Sequence, residues 1–122
     1  MSSYLSITEN TTELKEFDRL TELKVLTRIK KDAMRLNGFE CYAWKIDLLE
    51  CNSLESLFKE WGISICDNQL TSCGDIYNSA LIPVIFQNLA PILTDGYIQM
   101  FNESYNEIGD LFVYENGKGF AR

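Results

Sequence analysis

The chain has 122 residues and a net charge of −7, with 46% hydrophobic and 24% charged residues. These proportions fit one folded domain, residues 1–122, with its own core, and exclude a globally disordered chain. The absence of histidine removes Ser-His-Asp and Cys-His catalysis, histidine-ligated zinc and the commonest acid–base group at neutral pH.

Residues 1–9 read as a flexible arm. Asn10-Thr11-Thr12-Glu13 carries a helix-capping signal, with a side-chain acceptor and an acid in the first turn. The spacing then predicts an N-terminal helical segment over 10–36. Leu26, Ile29, Ala33 and Leu36 form an apolar stripe on it, Lys24, Arg28, Lys31 and Arg35 line another face, and Asn37-Gly38 stops it. Over 39–49 the alternation of Tyr42, Trp44, Ile46 and Leu48 with polar or small residues predicts a strand. Asn52-Ser53 opens a second helix. Its Leu54, Leu57, Phe58 and Trp61 share one buried face, and Gly62 ends it. A short strand, 63–66, turns at Asp67-Asn68 and pairs with 69–73.

Residues 82–93 are apolar nearly all round and predict a short buried helix, with Pro83 in its first turn and Pro91 at its end. Thr94-Asp95-Gly96 turns into a strand over 97–103. The segment 104–110 leads to "LFVYE", and Asn116-Gly117 predicts a type I′ hairpin turn into a last strand. The order implies an α+β fold. A ferredoxin-like antiparallel sheet, with helices on one face and a C-terminal β-hairpin, follows the N-terminal helix.

Charge is unevenly placed. Up to Leu36 there are seven bases and six acids, against four bases and 12 acids afterwards. An acidic body of this kind attracts a basic partner and repels nucleic acid and anionic membranes. Cys41, Cys51, Cys66 and Cys73 show no zinc or redox spacing. They read as free thiols in a cytoplasmic setting, with a disulfide between two of them as the alternative. The sequence opens with no signal-peptide pattern and has no apolar run of membrane-span length. No phosphate-binding glycine loop is present, and no cofactor or metal is expected. Glu103, Glu107 and Asp110 around one turn are the only cluster that suggests a cation, and a solvated acidic loop explains them as well.

"WKIDLLECNSLESLFKEWGISI", "LAPILTDGYIQMFNE" and "LFVYENGK" resemble pieces of small α+β proteins of bacteria and phages, of the toxin-immunity or counter-defence inhibitor type. The resemblance covers about two-thirds of the chain, roughly 39–118, and carries no catalytic motif. It implies a non-enzymatic, acidic protein-binding inhibitor that masks a basic site on a toxin nuclease or defence effector. The expected contact residues are Glu103, Tyr105, Glu107, Asp110, Tyr114 and Glu115. Two alternatives use the N-terminal helix: a nucleic-acid interface through Lys24, Arg28, Lys31 and Arg35, or a homodimer through Leu26, Ile29, Ala33 and Leu36.

Overall fold

The computed structural model describes residues 3–42, 44–72, 75–76 and 81–122. Ala43 and Cys73, both part of the expectations above, lie outside these residues. The elements are β1 (Ser3–Asn10), α1 (Arg19–Ala33), α2 (Lys45–Glu50), α3 (Leu54–Glu60), β2 (Ile63–Cys66), β3 (Gln69–Ser72), β4 (Asp75–Ile76), α4 (Ile82–Gln87), β5 (Gly96–Asn102), β6 (Glu107–Glu115) and β7 (Lys118–Ala121). Single 3₁₀ turns stand at Phe39–Cys41 and Ala90–Ile92. A five-stranded sheet has the order β4-β1-β5-β6-β7, and β2 and β3 form a separate two-stranded ribbon. The fold is α+β. Among the described residues every strand pairing is antiparallel.

The N-terminal segment departs most from expectation. The flexible arm is instead β1, which lies between β4 and β5. Leu5 and Ile7 turn toward the core and Ser6 turns away, the period-2 pattern of a half-buried strand. Asn10 does not cap a helix. Its side chain accepts the Thr12 amide at 2.8 Å and the Thr12 hydroxyl at 2.7 Å, and donates to the Leu70 carbonyl at 3.0 Å. Residues 11–18 are not helical. Leu14 donates its amide to Asn68 and Lys15 to Ile92, so this stretch is tied to two other parts of the chain. The helix begins only at Arg19, where the Asp18 carboxylate accepts the Thr21 amide at 2.8 Å. Thr21 sits in its first turn.

The strand expected over 39–49 is a 3₁₀ turn followed by α2. Trp44, Leu48 and Cys51 are buried at helical spacing, whereas Ile46 is 61% exposed. Trp44 and Leu48 satisfy periods of 2 and 3.6 alike, but the exposure of Ile46 and the burial of Cys51 fit only the helix. The Trp44 ring stacks on Tyr42 at 4.9 Å and meets Phe39 and Trp61 edge-on. These aromatics therefore build the core.

Elements with strong local signals form where expected. Ser53 caps α3 through the Ser56 amide, and Leu54, Leu57, Phe58 and Trp61 are buried. Asp67 and Asn68 both hold positive φ between β2 and β3, as do Asn116 and Gly117 between β6 and β7. The buried helix over 82–93 is shorter than expected: α4 stops at Gln87, and Pro91 lies inside the 3₁₀ turn that follows. This turn and α4 pack on β7, α4 also meets β6, and α1 packs on α4 from the far side. Leu26, Ile29 and Ala33 of α1 are buried, and Leu36 packs against the same core. A homodimer through that stripe is thereby withdrawn, because the stripe is spent inside the fold.

One acid ties two helices together. Glu22 in α1 pairs with Arg19 at 2.7 Å and accepts the first amide of α3, at Leu54, at 2.8 Å. The Leu54 amide, then Arg19, hold its carboxyl below the usual range, and Thr21 does the same for Asp18. A lowered folded pKa gives stability that is present above the unfolded value and lost as pH falls through the folded one. We expect Glu22→Gln to lower the melting temperature at pH 7, with the gap to the native chain closing as the solution is taken below about pH 4. A gap that stays constant across that range in thermal melts would rule out this role.

Candidate functional site

The two faces of the large sheet differ. Alternation in β5 and β6 places Ile98, Met100, Phe112 and Tyr114 on the side covered by α4. Tyr97, Gln99, Phe101, Leu111 and Val113 are only partly buried and lie on the opposite side, which no described element covers. Cross-strand pairs run Tyr97 opposite Val113, Gln99 opposite Leu111, and Phe101 opposite Ile108. Phe120 on β7, opposite Val113, is 49% exposed. A shallow cleft of about 590 Å³ follows this face, lined by Tyr97, Gln99, Leu111, Val113 and Glu115 among others.

Acids ring the apolar strip. Glu9, Asp95, Glu103 and Glu115 are exposed around it, against Lys118 and Arg122 at the β7 margin, whereas Glu107 and Asp110, also exposed, lie toward the other face beside Leu5, Met100 and Asn102. Several are held in place. The Tyr97 hydroxyl donates to Glu9, which raises the Tyr97 pKa, and the Asn116 amide donates to Asp95 at 3.0 Å. Ser6 donates to Glu103 at 2.9 Å across the β1–β5 pair. The β5–β6 tip is shaped by Asn102, whose side-chain oxygen accepts the amides of Ser104 at 3.0 Å and Tyr105 at 3.2 Å, and by Asn106 at positive φ. Tyr105 and Ile108 stand out from this tip, 61% and 78% exposed.

The expected contact residues do not form one patch. Glu103, Tyr105 and Glu107 cluster at the tip, with Asp110 close by on β6. Glu115 lies at the other end of that nine-residue strand, roughly 25 Å away. Tyr114 is withdrawn as a contact. It is 2% exposed and donates its hydroxyl to the Phe86 carbonyl at 2.7 Å, and burial pushes its pKa up. Glu103, Glu107 and Asp110 do not converge on a point that would hold a cation, nor does any other such group among the described residues. The sequence suggests one sheet face for Tyr97, Phe101 and Phe112, aromatic hot spots if exposed beside the acids; Tyr97 and Phe101 do share the partly exposed face, Phe112 is buried on the other, and Leu111 and Val113, which complete the strip, were not anticipated. Its signal was present: "YIQMF" is apolar on both sides of the strand, more than a single covered face requires.

The cations of the N-terminal helix are on the surface. Lys24, Arg28 and Lys31 are exposed on α1, and Arg35 follows its end, 3.6 Å from Asp32. Lys30 is committed elsewhere, donating to the carbonyls of Leu49 and Cys51 at the end of α2. Cys41, Cys51 and Cys66 are free thiols, and burial raises the pKa of Cys51. No described helix is long and apolar enough to cross a membrane.

No family model matches the chain, and neither a curated protein nor a solved structure matches it significantly.

Proposed function

We propose that the chain is a non-enzymatic, protein-binding inhibitor of the immunity or counter-defence type. In this reading its acidic, outward sheet face covers a basic site on a partner such as a toxin nuclease or defence effector. The observation that carries the reading is the face itself: a partly exposed apolar strip from Phe101 to Val113, rimmed by Glu9, Asp95, Glu103 and Glu115. Monomeric surfaces rarely leave such strips uncovered without a partner, and acids around them favour a cationic one. Tyr105, Tyr97 and Phe101 would anchor contact, and the acids would steer approach. The free thiols fit a reducing, cytoplasmic setting. Affinity capture at low and high salt, with mass spectrometry of what is retained, tests it. A basic nuclease or effector released by salt is the expected result. Capture that ignores salt, or of nucleic acid alone, overturns it.

A second reading rests on Lys24, Arg28, Lys31 and Arg35, which are all exposed along one side and would neutralise phosphates. It requires DNA or RNA binding at low salt that weakens when Arg28, Lys31 and Arg35 become alanine.

A further inference from the structure

Half of the exposed apolar bulk sits far from the sheet face. Of the ten large apolar side chains exposed among the described residues, five lie on α1 or α2 or just past α1: Leu20, Leu23, Met34, Ile46 and Leu49. Leu20, Leu23 and Met34 recur at helical spacing, at an angle to the buried stripe Val25, Leu26, Ile29 and Ala33. Lys30 donates to the Leu49 carbonyl at 3.3 Å, which brings the end of α2, with exposed Leu49, next to α1. Next to this aliphatic strip run Lys24, Arg28, Lys31 and Arg35. One surface thus has three stripes: core-facing, aliphatic and solvated, and cationic.

We propose that this side of α1, with the adjoining edge of α2, rests on an anionic lipid surface. Exposed aliphatic chains beside long-stemmed cations are what a helix lying in the headgroup plane requires: the chains enter the acyl boundary and the ammonium and guanidinium groups meet lipid phosphates or carboxylates. Duplex or single-stranded nucleic acid would use the cations but not the aliphatics, and neither α1 nor α2 itself carries an aromatic ring on which a base could stack. The net charge of −7 does not forbid the contact. Most of the acids named on the sheet face are separated from α1 by the α4 layer, about 20 Å of packing, against a screening length of about 8 Å in physiological salt. The nearest opposing charge is Asp32, 3.6 Å from Arg35, and Glu22 is already paired with Arg19, which leaves Lys24, Arg28 and Lys31 in excess along the face.

Vesicle flotation with the full chain tests the proposal. One set of vesicles is phosphatidylcholine alone and the other contains about one-third phosphatidylserine. Each cation near an anionic leaflet multiplies affinity about fivefold, so at least about tenfold more protein should float with the second set, less so as salt rises. Lys24→Glu with Arg28→Glu and Lys31→Glu should abolish the preference. Leu23→Ser with Met34→Ser, which leaves every charge in place, should lower flotation about tenfold while thermal melts stay unchanged. Three results overturn the proposal: no flotation of the folded chain at low salt, full flotation of the serine variant, or displacement of the chain from vesicles by equimolar RNA. None of them bears on the acidic sheet face, which is tested separately by capture of its basic partner.

Discussion

If the proposed inhibitor reading holds, changing Glu103, Glu107 and Asp110 together to lysine is expected to slow association with a basic partner by about a hundredfold at low salt. The change narrows to a fewfold at high salt. The three side chains are exposed, and none is counted in the core, so the variant melts close to the native chain. Their contribution is to long-range attraction before contact, and reversal replaces three attractions by three repulsions at the same tip. Dissociation changes less, because that rate follows the buried anchors, and Tyr105→Ala is the change that speeds it. Glu115→Lys acts independently, since it stands roughly 25 Å from Glu107 and the screening length is about 8 Å. Stopped-flow association against salt reads all of this. An unchanged association rate in the triple variant removes the tip from the interface and, with it, the proposed mode of inhibition.

Phe112→Ala is expected to cost about 3–5 kcal/mol. The ring is fully buried, stacks on Phe86 at 5.3 Å and lies opposite Ile98, at the junction of β5, β6 and α4. Its removal opens a cavity that the hairpin cannot close by shifting, because Gly119 already meets the Gln87 carbonyl: a Cβ there would stand 2.5 Å from that oxygen. For a chain of this length the melting temperature should fall by roughly 10–20 °C. Ile108→Ala on the same strand, 78% exposed, should change it by less than a degree or two. A loss below about 1 kcal/mol for Phe112→Ala in denaturant titrations would mean that the sheet and α4 do not share a core as described.

The parts of the fold that could be read from sequence are those decided within a few residues. Ser53 before a helical face, Asp67-Asn68 and Asn116-Gly117 between strands, and Gly96 opening β5 each act locally. The parts that could not be read depend on distant partners. Leu5 and Ile7 form a strand only because β5 offers them an edge, and residues 11–18 are not helical, with the Leu14 and Lys15 amides taken by Asn68 and Ile92. Over 39–50 two periodicities fit Trp44 and Leu48, and only the folded chain, with Ile46 exposed and Cys51 buried, separates them. The site divides the same way. Acids at a turn are visible in a sequence, but the burial of Tyr114 follows from strand parity. Parity in β6 is reset by a register shift opposite Met100, which no residue type announces.

The position of β1 has a consequence for how the protein is made. Leu5 pairs with Asn102 and Asn10 with Ile98, so the middle of the sheet joins residues from nearly opposite ends of the sequence. Such contacts return nothing until a long loop closes, and folds rich in them are slow. On the ribosome, at about 5–20 residues per second, β1 would wait roughly 5–20 seconds for β5 to emerge. Through that interval its unpaired backbone is open to other chains, and Glu9 at its far end is the charge nearest to guarding it. Yield in a cell should therefore respond to holdase chaperones more than the melting temperature of the finished protein would suggest.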